Sequence, residues 1–154
     1  MTTKGPRIAG ERPVQPHHSR QQKAKAERVL DFLQHYVIEH DPSVGERFFG
    51  ESYTQHNPMI ADGQEGVKRF AEQLREQFPE LEIDIKRVFV DGDYVIVHHH
   101  ARWGTPSAHD TVFAPATKSS AVIDIFRLEG DRIVEHWDVM QDVLEVSANE
   151  NTMF

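Results

Sequence analysis

Leu81-Glu-Ile-Asp-Ile-Lys-Arg-Val-Phe-Val-Asp-Gly-Asp-Tyr-Val-Ile-Val-His-His-His-Ala-Arg-Trp103 is where the pattern of the chain changes. Before it, apolar residues recur every three to four positions; from Leu81 they recur every second. Leu81, Ile83 and Ile85, then Val88 and Val90, read as one strand with a bulge near Lys86-Arg87. Asp91-Gly92-Asp93 reads as a hairpin turn, and Tyr94 to Trp103 as the returning strand. Two more strands follow, Lys118 to Leu128 and Arg132 to Val143, joined by a tight turn at Gly130-Asp131. The stretch between the pairs, 104–117, reads as a loop or an irregular hairpin end.

Upstream, a helix starting at Ser19 or Arg20 and running to about His40 aligns Val29, Leu30, Phe32, Leu33, Tyr36 and Val37 at helical spacing. Asp41-Pro42 ends it, because a residue before proline avoids the α region. A short helix from Ser43 to Phe49 follows, with Ser43 and Glu46 spaced as a capping box. Tyr53 to Pro58 is short and extended, and residues 64–77 form a second amphipathic helix closed by Pro79. Helices first and a strand meander afterwards predict an α+β domain. The N-terminal helices pack against a strongly curved, mainly antiparallel sheet, forming a cone with one open mouth, a natural pocket. Residues 1–18 are expected to be a flexible leader, 19–146 the single domain, and 147–154 a tail without pattern.

Composition removes several function classes. A net charge of −8 argues against a nucleic-acid surface, which needs a basic face. Zero cysteines exclude disulfides, thiol catalysis and thiolate metal sites. No apolar run approaches the roughly 20 residues of a membrane span, and the N-terminus lacks the apolar core of a secretory signal. A cytoplasmic location is the default expectation. There is no Gly-rich phosphate loop and no Gly-x-Ser-x-Gly elbow, which disfavours nucleotide binding and serine nucleophiles.

The candidate chemistry starts at Asp124, a carboxylate in the apolar strand Ala121-Val-Ile-Asp-Ile-Phe126. Such a group is costly unless it is paired, hydrogen-bonded or neutral. With Gly130 and Asp131 as the turn, Glu129 faces Arg132, Asp124 faces Trp137, and Phe126 faces Glu135; one bulge inverts this for one strand. An Asp beside an indole in an apolar pocket titrates high and can donate a proton to a developing oxyanion. The alternative is a structural Asp paired with Arg127, His136 or a backbone amide. His136 and Asp138 fall on the outer face in this register.

His98 and His100 share one face of their strand and His99 takes the other. A pair of pocket-facing imidazoles could serve as acid and base. His-x-His could also start a metal site with His56 or Asp124 as third ligand, but nothing supplies a clear one, and no metal is expected. His56 could act as a base and Asn57 could orient a carbonyl, or Asn57 is a turn residue before Pro58. Tyr53 and Trp103 are packing or substrate-contacting aromatics.

Tyr53-x-Gln-His-Asn-Pro58 with Asp62-Gly63, the Asp91-Gly-Asp-Tyr-Val-x-Val-His98-x-His100 strand, Asp124-Ile-Phe-Arg127 and Ile133-Val-Glu-His-Trp-Asp138 together resemble the SnoaL-like polyketide cyclases of the NTF2-like superfamily, over roughly residues 20–142. The resemblance implies an α+β cone, usually a homodimer through the outer sheet face. It also implies cofactor-free acid–base chemistry on a carbonyl compound: aldol-type cyclisation, isomerisation or dehydration. It implies Asp124, His98, His100 and His56 as the catalytic set. Asn57, Tyr53, Trp103, Phe126 and Trp137 would contact a small hydrophobic or polyketide-like substrate. The rival expectation is a non-catalytic ligand-binding or dimerisation module whose polar groups are all satisfied within the protein.

Overall fold

The structure is a computed structural model that describes residues 5–106 and 118–154. Most of the 104–117 segment therefore lies outside the described residues. Helix α1 (Arg20–Asp31) starts at Ser19, whose hydroxyl accepts the Gln22 N–H while the Gln22 side chain accepts the Ser19 N–H, a reciprocal cap. It continues as a π-helical segment, Phe32–Ile38, which buries Phe32, Leu33, Tyr36, Val37 and Ile38. The short helix that follows is capped by Asp41 rather than Ser43. The Asp41 carboxylate accepts the Ser43 N–H, giving a 3₁₀ turn over Pro42–Val44 before α2 (Gly45–Phe48). Helix α3 spans Gly63–Gln77 and buries Val67, Ala71 and Leu74.

The strands are β1 (Arg7–Ala9), β2 (Phe49–Gln55), β3 (Glu82–Asp91), β4 (Tyr94–Arg102), β5 (Ser119–Glu129) and β6 (Arg132–Asp142). They form one mixed sheet in the order β1-β3-β4-β5-β6-β2. The four long strands are antiparallel neighbours, and β1 and β2 join the two edges in parallel. Phe32, Phe48, Phe78, Phe126 and Leu128 are among the large side chains buried where helices meet sheet. Among the described residues no helix is long and apolar enough to cross a membrane.

Two register shifts among the antiparallel strands shape the sheet. The β3–β4 ladder slips between Ile85 and Arg87, where the sequence pattern placed a bulge. The β5–β6 ladder runs Glu129 to Arg132 and Leu128 to Ile133, then resumes with Arg127 opposite Glu135, so Val134 is an extra residue. Beyond it every β6 residue is displaced by one. Asp124 faces Asp138, Ile125 faces Trp137 and Phe126 faces His136, which corrects the Asp124–Trp137 and Phe126–Glu135 pairings. The only sequence trace of the bulge is two adjacent buried aliphatics, Ile133 and Val134, where alternation calls for one.

The N-terminal segment differs from a flexible leader. Residues Arg7–Ala9 pair with β3, Val14 bridges to Val88, and the buried His18 ring accepts the Val90 N–H at 3.4 Å. Arg7 pairs with Glu82. The edge of β3 offers unpaired backbone groups, and Ile8 and Val14 are the apolar residues that pack beneath. The tail is also docked: the Phe154 ring lies 4.2 Å from that of His100 and 5.8 Å from that of His98. Removing residues 1–16 is expected to lower the melting temperature by about 5 °C, from the partial burial of two aliphatic side chains. Differential scanning calorimetry checks this, and an unattached leader leaves the midpoint where it was.

Candidate active site

The concave side of the sheet and the helices enclose a cavity of about 110 Å³, room for a compact ring-sized molecule. Phe32, Val37, Phe70 and Leu74 line it from the helical side, and Ile83, Ala101, Val122 and Phe126 from the sheet. The polar groups in this wall are Tyr53, Gln55, Asn57, His99, Asp124, His136 and Asp138.

Strand geometry assigns each of them. On β4 the inward set is Val95, Val97, His99 and Ala101, so His99 faces the cavity. His98 and His100 share the opposite face, where they meet Phe154 and where His98 Nδ1 lies 2.9 Å from the Arg87 guanidinium. Burial and then Arg87 hold the His98 ring below its ordinary value, as burial and then Arg102 do for His100. On β2 alternation turns Tyr53 and Gln55 inward, and Asn57 follows in the same parity. His56 points outward, stacked on Trp137 with ring centroids 4.6 Å apart and bonded to Glu135 at 2.8 Å. The Val134 bulge brings His136 and Asp138 inside and sends Trp137 out.

The structure therefore gathers Asp124, Asn57, Tyr53, Trp103 and Phe126 of the expected set around one cavity, and leaves His98, His100, His56 and Trp137 outside it. Sequence reasoning gave Gln55 no role and placed His99, His136 and Asp138 on the opposite faces of their strands, although it named His136 as a possible partner of Asp124. Parity with Val95, Val97, Ala101 and Trp103 was a usable signal for His99, and parity with Tyr53 for Gln55. His136 and Asp138 depended on the bulge that inverts one strand of this hairpin, whose occurrence the alternation alone does not fix.

Asp124 sits at the centre of a hydrogen-bonded chain. Its Oδ2 is 2.8 Å from His99 Nε2 and its Oδ1 is 3.0 Å from His136 Nε2. His136 Nδ1 lies 2.9 Å from Gln55 Oε1, which also accepts the Asn57 backbone N–H at 2.9 Å. That backbone donor fixes which end of the Gln55 amide is oxygen. Both nitrogens of His136 thus face oxygen atoms, one of Gln55 and one of Asp124. Burial alone pushes the Asp124 carboxyl up. The hydrogen bonds from His136 and His99, and their charge, outweigh it and hold the group well below the usual carboxylate range. The raised value expected beside an indole is corrected, because the indole is on the other face.

Asp138 is in a different state. Both its oxygens accept from Asn57 Nδ2, at 2.9 and 2.7 Å. Burial, then the facing Asp124 charge, raise its carboxyl above the ordinary value despite the Asn57 bonds. Asp124, His136 and Asp138 each present an atom within 4.8 Å of the others, the only such group among the described residues that could hold a cation. A metal there would have to displace the proton shared by His136 and Asp124 and break the chain that orients both.

This architecture, an α+β cone with its polar groups buried inside, is the NTF2-like fold. The chain belongs to the SnoaL-like polyketide cyclase family, whose model matches residues 27–146. A candidate polyketide cyclase from Acidithiobacillus ferrooxidans is 22% identical, with 80% of this chain and 91% of that one covered and a TM-score of 0.61. A candidate SnoaL-like polyketide cyclase from Jannaschia is 20% identical, covering 80% and 89%, with a TM-score of 0.66. An NTF2-like protein of unknown function from Cytophaga hutchinsonii is 15% identical, covering 76% and 89%, with a TM-score of 0.53. At these identities the structural likeness concerns the fold alone. No curated protein matches the chain.

Asp124→Asn removes the anion between two imidazoles and is expected to cost about 3 kcal/mol in urea unfolding at neutral pH. The native Asp124 value is depressed, so its stabilisation is present above the ordinary aspartate value of about 3.9 and fades as pH falls through the native value. The stability gap between the two proteins should accordingly narrow as the titration is carried into acid.

Proposed function

We propose that the protein is a cofactor-independent acid–base enzyme acting on a small carbonyl compound in the cone, by aldol-type cyclisation, isomerisation or dehydration. The observation that carries this reading is Asp138: a raised carboxyl in the wall of a mostly apolar cavity, next to a neighbouring acid held as an anion. Two carboxyls pushed apart by their surroundings are the pattern of a divided acid–base task. Asp138 takes the proton from the carbon beside the carbonyl and returns it later. As an anion it is a stronger base than an ordinary aspartate, because its charge is poorly solvated. Asp124, with both oxygens committed, acts behind it by fixing His99 and His136. His98, His100 and His56 take no part in the proton transfer.

The rival module would have every polar group of the cavity satisfied. Against it, His99 Nδ1 is buried without a partner among the described residues. We propose further that two copies pair through the outer sheet face, where Ile123 and Val139 are 43% and 71% exposed. Val139→Asp is expected to give a monomer in sedimentation.

The activity is tested by deuterium wash-in at the α-carbon of a panel of compact ketones and 1,3-dicarbonyls, followed by NMR. Wild type should catalyse exchange, with an acid limb above the ordinary aspartate value of about 3.9. Asp138→Asn should slow it roughly 10²- to 10⁴-fold without loss of folding. Equal exchange in the two proteins would sink the assignment.

A further inference from the structure

The Asn57 backbone amide sets the direction of more than the Gln55 carbonyl. With Oε1 fixed by that N–H and by His136 Nδ1, the Gln55 Nε2 end must donate, and its partner is the Tyr53 hydroxyl at 3.0 Å. The Tyr53 oxygen is thereby an acceptor. Its own proton points elsewhere, and among the described residues no acceptor receives it. The Tyr53 ring is buried at 7% exposure, packed edge-on against Phe49, and lines the same cavity as Asp138.

We propose that Tyr53 donates its hydroxyl proton in a hydrogen bond to the oxygen of the bound molecule, and that the occupant is a compact enolisable carbonyl compound whose oxygen becomes anionic during reaction. This deepens the acid–base reading and rests on it for the role of Asp138. Proton abstraction breaks a C–H bond, and the electron pair moves through the new C=C bond to the carbonyl oxygen. The proton resides on Asp138 and the negative charge on the oxygen facing Tyr53. The hydrogen bond strengthens as the charge develops, so it favours the enolate over the ketone. The phenol stays protonated for this purpose: burial first, then the charges of Asp124 and Asp138, hold it above its ordinary value. Gln55 is a positioning residue that keeps the hydroxyl oxygen occupied and its proton directed away.

The test is binding, not turnover, so its outcome separates from that of the exchange assay. The full-length Asp138→Asn protein, whose neutral amide stands for the protonated base, is titrated with 4-nitrophenolate as an enolate mimic and with nitrobenzene as the apolar control. Bound 4-nitrophenolate should absorb to the blue of the same ion bound to Asp138→Asn/Tyr53→Phe. The second substitution should weaken it roughly 10- to 100-fold, the worth of a hydrogen bond to a charged group. Nitrobenzene should bind the two proteins within about twofold if only the hydroxyl is at stake. Failure of 4-nitrophenolate to bind, parallel losses for both probes, or an unchanged spectrum would each overturn the proposal. Clean binding through Tyr53 with no α-carbon exchange in wild type would instead overturn the enzymatic reading and leave this contact standing.

Discussion

A single buried carboxylate organises the cone. Asp124 accepts from an imidazole on each neighbouring strand, His99 on β4 and His136 on β6, and so ties three strands together by their side chains. An anion in that position survives because both of its oxygens are filled by imidazole nitrogens. From His136 the order runs to Gln55 and Tyr53 on β2, and from Asp124 by charge to Asp138. A chain of this kind has one sense only, and the Asn57 main-chain amide decides it. The inside of the cone is consequently polarised before any ligand arrives, which is the preorganisation that acid–base catalysis depends on.

The frame was legible in the residues because it rests on periodicity. The switch from period 3.6 to 2 at Leu81, the two tight turns and the Pro42 and Pro79 stops set the elements, and the slip near Lys86 fell where the pattern broke. The edges were less legible. Arg7–Ala9 has no apolar alternation of its own and becomes a strand because β3 offers it a ladder, a tertiary effect invisible in a polar segment. Asp41 outcompetes Ser43 as a cap since its carboxylate reaches the amide two residues on.

Within the site, the sequence singled out a carboxylate that does line the cavity and put the wrong neighbours beside it. Asp124 stood out as a charge among aliphatics, a contrast that needs no register. Its partners depend on register, and one extra residue exchanged Trp137 for His136 and Asp138. With the neighbours went the sign of the titration: an indole raises a carboxyl, whereas two donating imidazoles lower it. The triple histidine was readable by a stricter count, since the flanking valines and alanine already mark the inward parity.

The Val134 bulge has a further implication for how such proteins diverge. Loss of one codon at this point would restore strict pairing and turn the remainder of β6 inside out, exchanging a histidine and an acid in the interior for an indole and a valine. Amino-acid composition would hardly change, and alignments would record a single gap. Relatives with nearly superimposable backbones can thus harbour unlike interiors, and the gap column, more than overall identity, marks where one lineage leaves another's chemistry behind.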